Sequence, residues 1–190
     1  IFFSNIQPAE GRGNPNSRPT VTPNSVSVLE ETKLHGGIGM GTWDTKTEFK
    51  DILVQTGDGK ILFQPNFKQG LEGWQISGGE WAGESGILTQ TSRAINCQII
   101  YGQNMWTDYT CTLKARRTEG TEGFLIIFAA QDSKNLYWWN IGGWGNTRTA
   151  IEKMTRSSKS EIPGTAVDLR IETGTWYDIK IAIYGKTADC

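Results

Sequence analysis

The chain has 190 residues, of which 37% are hydrophobic, and its eight Trp, seven Phe and five Tyr supply core for one domain, or one domain with an appendage. A net charge of −1 excludes a basic field that would attract nucleic acid or an anionic membrane. The longest apolar run, seven residues, is far short of the roughly 20 that insert across a bilayer.

Glycine, at 23 residues, exceeds the usual share of roughly 7%. With short β-branched and aromatic runs it predicts an all-β domain with many turns. The chain begins Ile1-Phe2-Phe3 and stops at Cys190, just after Tyr184-Gly185-Lys186 opens a strand pair, so both ends read as cuts in a longer protein. Residues 1–33 read as an extended segment or linker. Ile1 to Ile6 is a candidate strand, Glu10 to Ser25 is a crossing rich in Pro, Gly, Asn and Ser, and Val26 to Leu29 is a short strand.

From Gly36 to Trp43 small and larger residues alternate, a pattern that lets a neighbouring backbone approach closely. Glu48 to Val54 reads as a strand with Phe49 opposite to Ile52 and Val54, unless a bulge resets the parity. Gln55 to Gly59 is a hairpin turn, and Ile61 to Phe67 the returning strand. Further strands are expected at 73–77, 86–90, 97–101, 109–116 and 177–183. The Tyr109–Arg116 and Tyr177–Ile183 stretches alternate cleanly, apolar in and polar out.

The centre of the chain is Gly123 to Arg148. Phe124 to Ala130 is apolar on both faces, as a strand buried between layers reads. After a polar turn at 131–135, Tyr137, Trp138 and Trp139 follow in a row, and alternation sets Trp138 opposite to the other two. Asn140 to Asn146 is a glycine-rich loop carrying Trp144, with little around that indole to bury it. These strands and turns predict a sandwich of two antiparallel sheets.

The Leu136–Thr147 stretch with Trp-Trp-Asn…Gly-Gly-Trp-Gly-Asn, the following Ala150-Ile151-Glu152, the Ile171–Ile179 stretch, and Gly36 to Val54 with its Gly-Thr-Trp and Glu-Phe-Lys-Asp resemble one family. It is the concanavalin A-like, laminin G-like jelly-roll region of glycoside hydrolase family 51 α-L-arabinofuranosidases. The resemblance covers residues 34–190 and implies an accessory jelly-roll module, incomplete or permuted, of a secreted bacterial hemicellulose hydrolase. In such domains the Gly-Thr-Trp…Glu-Phe-Lys-Asp stretch looks like the last strand, whereas here it stands early. A strand is then missing after Cys190, which residues 1–7 or 26–34 could replace.

β-Glucanases of similar fold carry Glu-x-Asp-x-x-Glu on one strand, and that pattern is absent. Glu80/Glu84, Glu119/Glu122 and Glu152/Glu161 read as pairs in sequence only, on turns or exposed strand faces. The segment itself therefore reads as non-catalytic. Sugar rings offer C–H faces to aromatic rings and hydroxyls to amide, carboxylate and guanidinium groups. Asn140, Trp144, Asn146 and Arg148 have those chemistries, and Trp138 or Trp139 adds a second ring according to parity.

Trp74, Trp81 and Trp176 read as core or sheet edge, and Trp106 as either core or surface. No zinc spacing surrounds His35, and no cofactor is expected. Asp58, Asp132 and Asn135 are loop oxygens that could hold a structural calcium, without a marking spacing. Cys97 and Cys111 could form a disulfide in an exported chain. The expected partners are plant cell-wall polysaccharide (arabinoxylan, arabinan or xylan) and the catalytic domain of the same parent protein. The alternatives are a structural module packed on that domain without binding sugar, or a glycoside hydrolase in its own right.

Overall fold

The computed structural model describes residues 27–30, 32–103 and 105–190. The strand expected at 1–6 and the crossing at 10–25 lie outside them. In chain order the strands are β1 (Ser27–Leu29), β2 (Gly37–Thr42), β3 (Thr45–Thr56), β4 (Ile61–Phe63) and β5 (Gln75–Ser77). Next come β6 (Trp81–Glu84), β7 (Ile87–Gln90), β8 (Cys97–Tyr101), β9 (Tyr109–Gly120) and β10 (Phe124–Asp132). The last are β11 (Asn135–Gly142), β12 (Arg148–Thr155), β13 (Ser158–Glu161), β14 (Val167–Asp168), β15 (Tyr177–Tyr184) and β16 (Thr187–Asp189). One short helical turn, α1 (Gly143–Asn146), links β11 to β12.

Among the described residues the strands form two antiparallel sheets of eight. The first runs β1-β16-β15-β9-β3-β7-β6 with β4 beside β3; the second runs β13-β12-β11-β10-β2-β8-β5 with β14 beside β12. The architecture is an all-β, two-sheet sandwich and not a closed barrel. Phe49, Tyr109 and Leu113 from the first sheet meet Met40, Ile126 and Trp139 from the second in the core between them.

Two bulges set the parity. Phe49, Ile52 and Val54 all face the core, because β3 shifts register against β9 between Lys50 and Leu53, with Asp51 at φ 54°. The second bulge lies in β10, whose pairings shift after Phe128, and Ala129 there has φ 46°. The Tyr109 hydroxyl crosses from the first sheet to this point, donating to the Gly37 carbonyl at 3.2 Å and accepting from the Ala129 N–H at 3.1 Å.

Ile38 and Met40 point inward, and the glycines between them let β8 lie close: a Cβ on Gly39 would overlap the Ile99 carbonyl. The strand expected over 61–67 ends at Phe63, since Pro65 cannot donate to a ladder and Phe67 turns at φ 56°.

β1 pairs with β16, so residues 27–29 occupy that edge of the first sheet. β3 lies mid-sheet between β9 and β7, which puts the early Gly-Thr-Trp…Glu-Phe-Lys-Asp stretch in the same sandwich as Trp-Trp-Asn. Cys97, Cys111 and Cys190 are free and buried, with Cys97 and Cys111 on different sheets, so no disulfide joins them.

Candidate functional site

β10 and β11 form a hairpin in which Ile126 faces Trp139 and Ile127 faces Trp138. Phe124, Ile126, Tyr137, Trp139 and Ile141 look into the core. Leu125, Ile127, Leu136 and Trp138 look out of the sandwich, in a second apolar cluster with Ile100, Ala130 and Met154. Parity therefore separates the paired tryptophans: Trp139 is core, and Trp138 belongs to the outward face.

On that face lies a cleft of about 200 Å³, with Leu125, Trp138 and Asn140 among its lining. Trp43 and Lys159 contribute one part of its wall, and Trp144, Glu122 and Glu152 complete it. Trp138 is 1% exposed and Trp144 is 37% exposed, so one indole is seated in the sheet and the other is open to solvent. Glu152 Oε2 accepts from Trp138 Nε1 at 2.7 Å and from Asn140 Nδ2 at 3.2 Å. Its Oε1 has no hydrogen-bond partner among the described residues. Asn140 can lie here because its neighbour is Gly143, where a Cβ would overlap the Asn140 amide.

The Trp144 loop is held in an unusual backbone. Trp144 and Gly145 have φ of 51° and 70°, and a bulky residue in the left-handed region needs outside support. Successive N–H groups in a tight turn can converge on an anion. Glu122 supplies it, accepting from Gly145 N–H at 3.2 Å. Glu122 is itself fixed through its backbone: Thr45 Oγ1 accepts its N–H at 3.2 Å, and Arg117 Nη1 donates to its carbonyl at 3.2 Å. Asp44 buttresses the turn that carries Glu122, taking both arms of the Arg93 fork at 2.9 Å and the Thr121 hydroxyl at 2.7 Å. The Arg93 bonds hold its carboxyl below the usual carboxylate range. Burial pushes the Glu122 carboxyl above that range, against the pull of the Gly145 and Trp144 amides, and negative Asp44 and Glu152 add to the rise.

Of the residues singled out in the sequence, Trp138, Asn140 and Trp144 share the cleft. Arg148 lies against it from outside, its guanidinium carbon 3.8 Å from the Trp144 ring centroid and its Nη2 2.7 Å from Glu161 Oε2. Trp139 points into the core, as parity requires. Asn146 braces the loop: its Nδ2 donates to the Ile171 carbonyl at 3.0 Å and its Oδ1 accepts the Ile171 N–H at 2.9 Å.

The other five cleft residues, Trp43, Glu122, Leu125, Glu152 and Lys159, were not among the binding candidates read from the sequence. As expected, neither Glu119/Glu122 nor Glu152/Glu161 forms a paired carboxylate site, but a different pair of carboxylates does meet. Glu119 pairs with Lys46 and Glu161 with Arg148, while Glu122 and Glu152 share the cleft.

The candidate calcium oxygens are engaged locally. Asp132 accepts from the Lys134 and Asn135 amides, and Asp58 from the Thr56 hydroxyl. Among the described residues no cluster of three His, Cys, Asp or Glu is placed to hold a metal. Trp74 and Trp81 are half-buried against the core and Trp106 is inside it. Trp176 lies under Lys50 and Arg116, 4.3 and 4.6 Å from its ring centroid.

No protein-family model matches the chain, and neither does any solved structure. No helix among the described residues is long and apolar enough to cross a membrane. Over 172 residues the chain is 35% identical to an extracellular exo-alpha-L-arabinofuranosidase of Streptomyces chartreusis. The overlap takes in 90% of this chain and 20% of that enzyme, so the chain spans about a fifth of its relative's length. By sequence it is related to one region of an extracellular arabinofuranosidase.

Proposed function

We propose that this chain is a non-catalytic carbohydrate-binding accessory module, a concanavalin A-like, laminin G-like jelly roll, of a secreted bacterial α-L-arabinofuranosidase of the family 51 type. It binds arabinose-decorated plant polysaccharide, arabinoxylan or arabinan, and holds it near the parent's catalytic domain. The observation that carries this reading is the exposed Trp144 ring beside a cleft furnished with Asn140 and Glu152. The indole takes a sugar's C–H face, and the Asn140 amide and Glu152 Oε1 take its hydroxyls. So open a site gives modest affinity.

Intrinsic Trp fluorescence during titration with arabinoxylan, arabinan, xylan and β-glucan tests this for the wild type and Trp144→Ala. The expected result is a saturable shift with the arabinose-bearing glycans that disappears in the variant. No shift with any glycan removes the reading. Sugar release by the isolated chain, lost in Glu152→Gln, would instead assign hydrolysis to the Glu122 and Glu152 pair.

The alternative, a structural module docked on the catalytic domain without binding sugar, calls for an exposed apolar patch, whereas Ile100, Leu125, Ile127, Ala130, Leu136 and Met154 on the outward face are all buried within the chain. Co-elution with the separately produced catalytic domain, with no glycan response, would select it.

A further inference from the structure

We propose that the cleft accepts one uncharged sugar unit and rejects uronic acids, with Glu122 and Glu152 as the discriminating residues; this rests on the sugar-binding reading above. Size is the first argument. A cleft of about 200 Å³ is smaller than the roughly 300–1,000 Å³ of sites for drug-sized ligands, and it suits a single ring at a branch or chain end.

Charge is the second argument. Two carboxylates, Glu122 and Glu152, and one ammonium, Lys159, line the cleft. Lys159 Nζ lies 4.1 Å from the Trp43 ring centroid and 5.3 Å from that of Trp138, so its charge rests against the walls. The other nearby cation, Arg148, is matched by Glu161. Asp44, which adds to the negative field at Glu122, is matched by Arg93. The cleft therefore has an excess of negative charge.

Hydrogen-bond polarity is the third argument. An ionised carboxylate only accepts, so Glu122 and Glu152 ask for O–H donors from the ligand. A neutral pentose or hexose supplies them on every carbon that bears a hydroxyl. A uronate replaces one with a second acceptor and adds like charge in a partly dehydrated site, which is how an interface discriminates by repulsion as well as attraction.

The test is a pair of calorimetric titrations, with a neutral arabino-oligosaccharide and with an oligogalacturonate of equal length. They are run on the wild type, Glu122→Gln, Glu152→Gln and Lys159→Gln. In the wild type the uronate should bind at least about tenfold more weakly, the scale of one unfavourable charge contact. Either Glu→Gln variant should narrow that ratio and Lys159→Gln should widen it. Because Lys159 is on an exposed strand, its variant keeps the test independent of any folding defect at Glu122. Equal binding of the two sugars by the wild type, or a ratio unmoved by all three variants, overturns the proposal and leaves the sugar-binding reading intact. Failure of the neutral sugar to bind at all overturns both.

Discussion

Two clefts of similar size lie on this sandwich, and both are aromatic. One holds Trp43, Trp138 and Trp144; the other, of about 220 Å³, holds Phe63, Phe67, Trp74 and Tyr101. In the second the rings serve one another. Phe63 stacks on Tyr101 with centroids 3.9 Å apart, Trp74 meets Tyr101 at 5.4 Å, and Trp106 closes behind at 6.1 Å. In the first, the partners of the rings are charges: Arg148 on Trp144, Lys159 on Trp43, Glu152 on the Trp138 N–H. Rings that satisfy one another are packing. A ring backed by a charge, with its other side in water, is available to a guest.

The comparison breaks most sharply at Trp106 and Trp144. Trp106→Ala empties buried volume and should cost about 3–5 kcal/mol, lowering Tm by roughly 6–20 °C while any glycan response at the Trp144 cleft survives. Trp144→Ala should do the reverse, leaving stability within about 0.5 kcal/mol of wild type and abolishing that response. Equal Tm losses for the two would erase the distinction.

Gly143→Ala probes the charged cleft alone. Its methyl displaces the Asn140 amide, so a loss of about 1–3 kcal/mol by urea unfolding should accompany weaker glycan binding, with the Phe63–Tyr101 stack undisturbed.

Glu122 offers a pH handle. Its carboxyl is raised in the folded state, so that state binds more protons than the unfolded chain between the two pKa values, and stability falls as pH rises through that window. Glu122→Gln removes this dependence. Thermal melts should show the variant gaining on wild type from pH 4 to pH 7, and a gain in the opposite direction would refute the assignment.

The smallest effect concerns the three buried thiols. Burial pushes the Cys111 thiol up to about 12 and raises Cys97 and Cys190 as well. A thiol reagent at pH 8 should label none of the three until denaturant is added.

What the sequence displayed was local. The run Phe124–Ala130, the turn, and the split of Trp138 from Trp139 follow from period-two alternation inside one hairpin, and the glycines around Trp144 foretold an open ring. The bulges were harder. Asp51 adopts a left-handed backbone with no glycine to announce it, and a strand apolar on both faces gives no parity signal where Ala129 interrupts it. The rest of the cleft was hidden for a topological reason. Trp43 follows β2, Glu122 precedes β10, Glu152 sits on β12 and Lys159 on β13. Only the pairing of distant strands brings them together, and nothing in their spacing along the chain shows that Glu122 and Glu152 meet.

The Tyr109 hydroxyl has a consequence for how the two sheets find each other. If β9 slipped by one residue, its side chains would exchange faces and this ring would swing toward solvent. The Gly37 carbonyl and the Ala129 amide would then each lose a buried partner, a penalty of about 1–3 kcal/mol per group. One phenol thus makes the alignment of the first sheet legible to the second, and mispaired chains are marked as wrong from inside the protein.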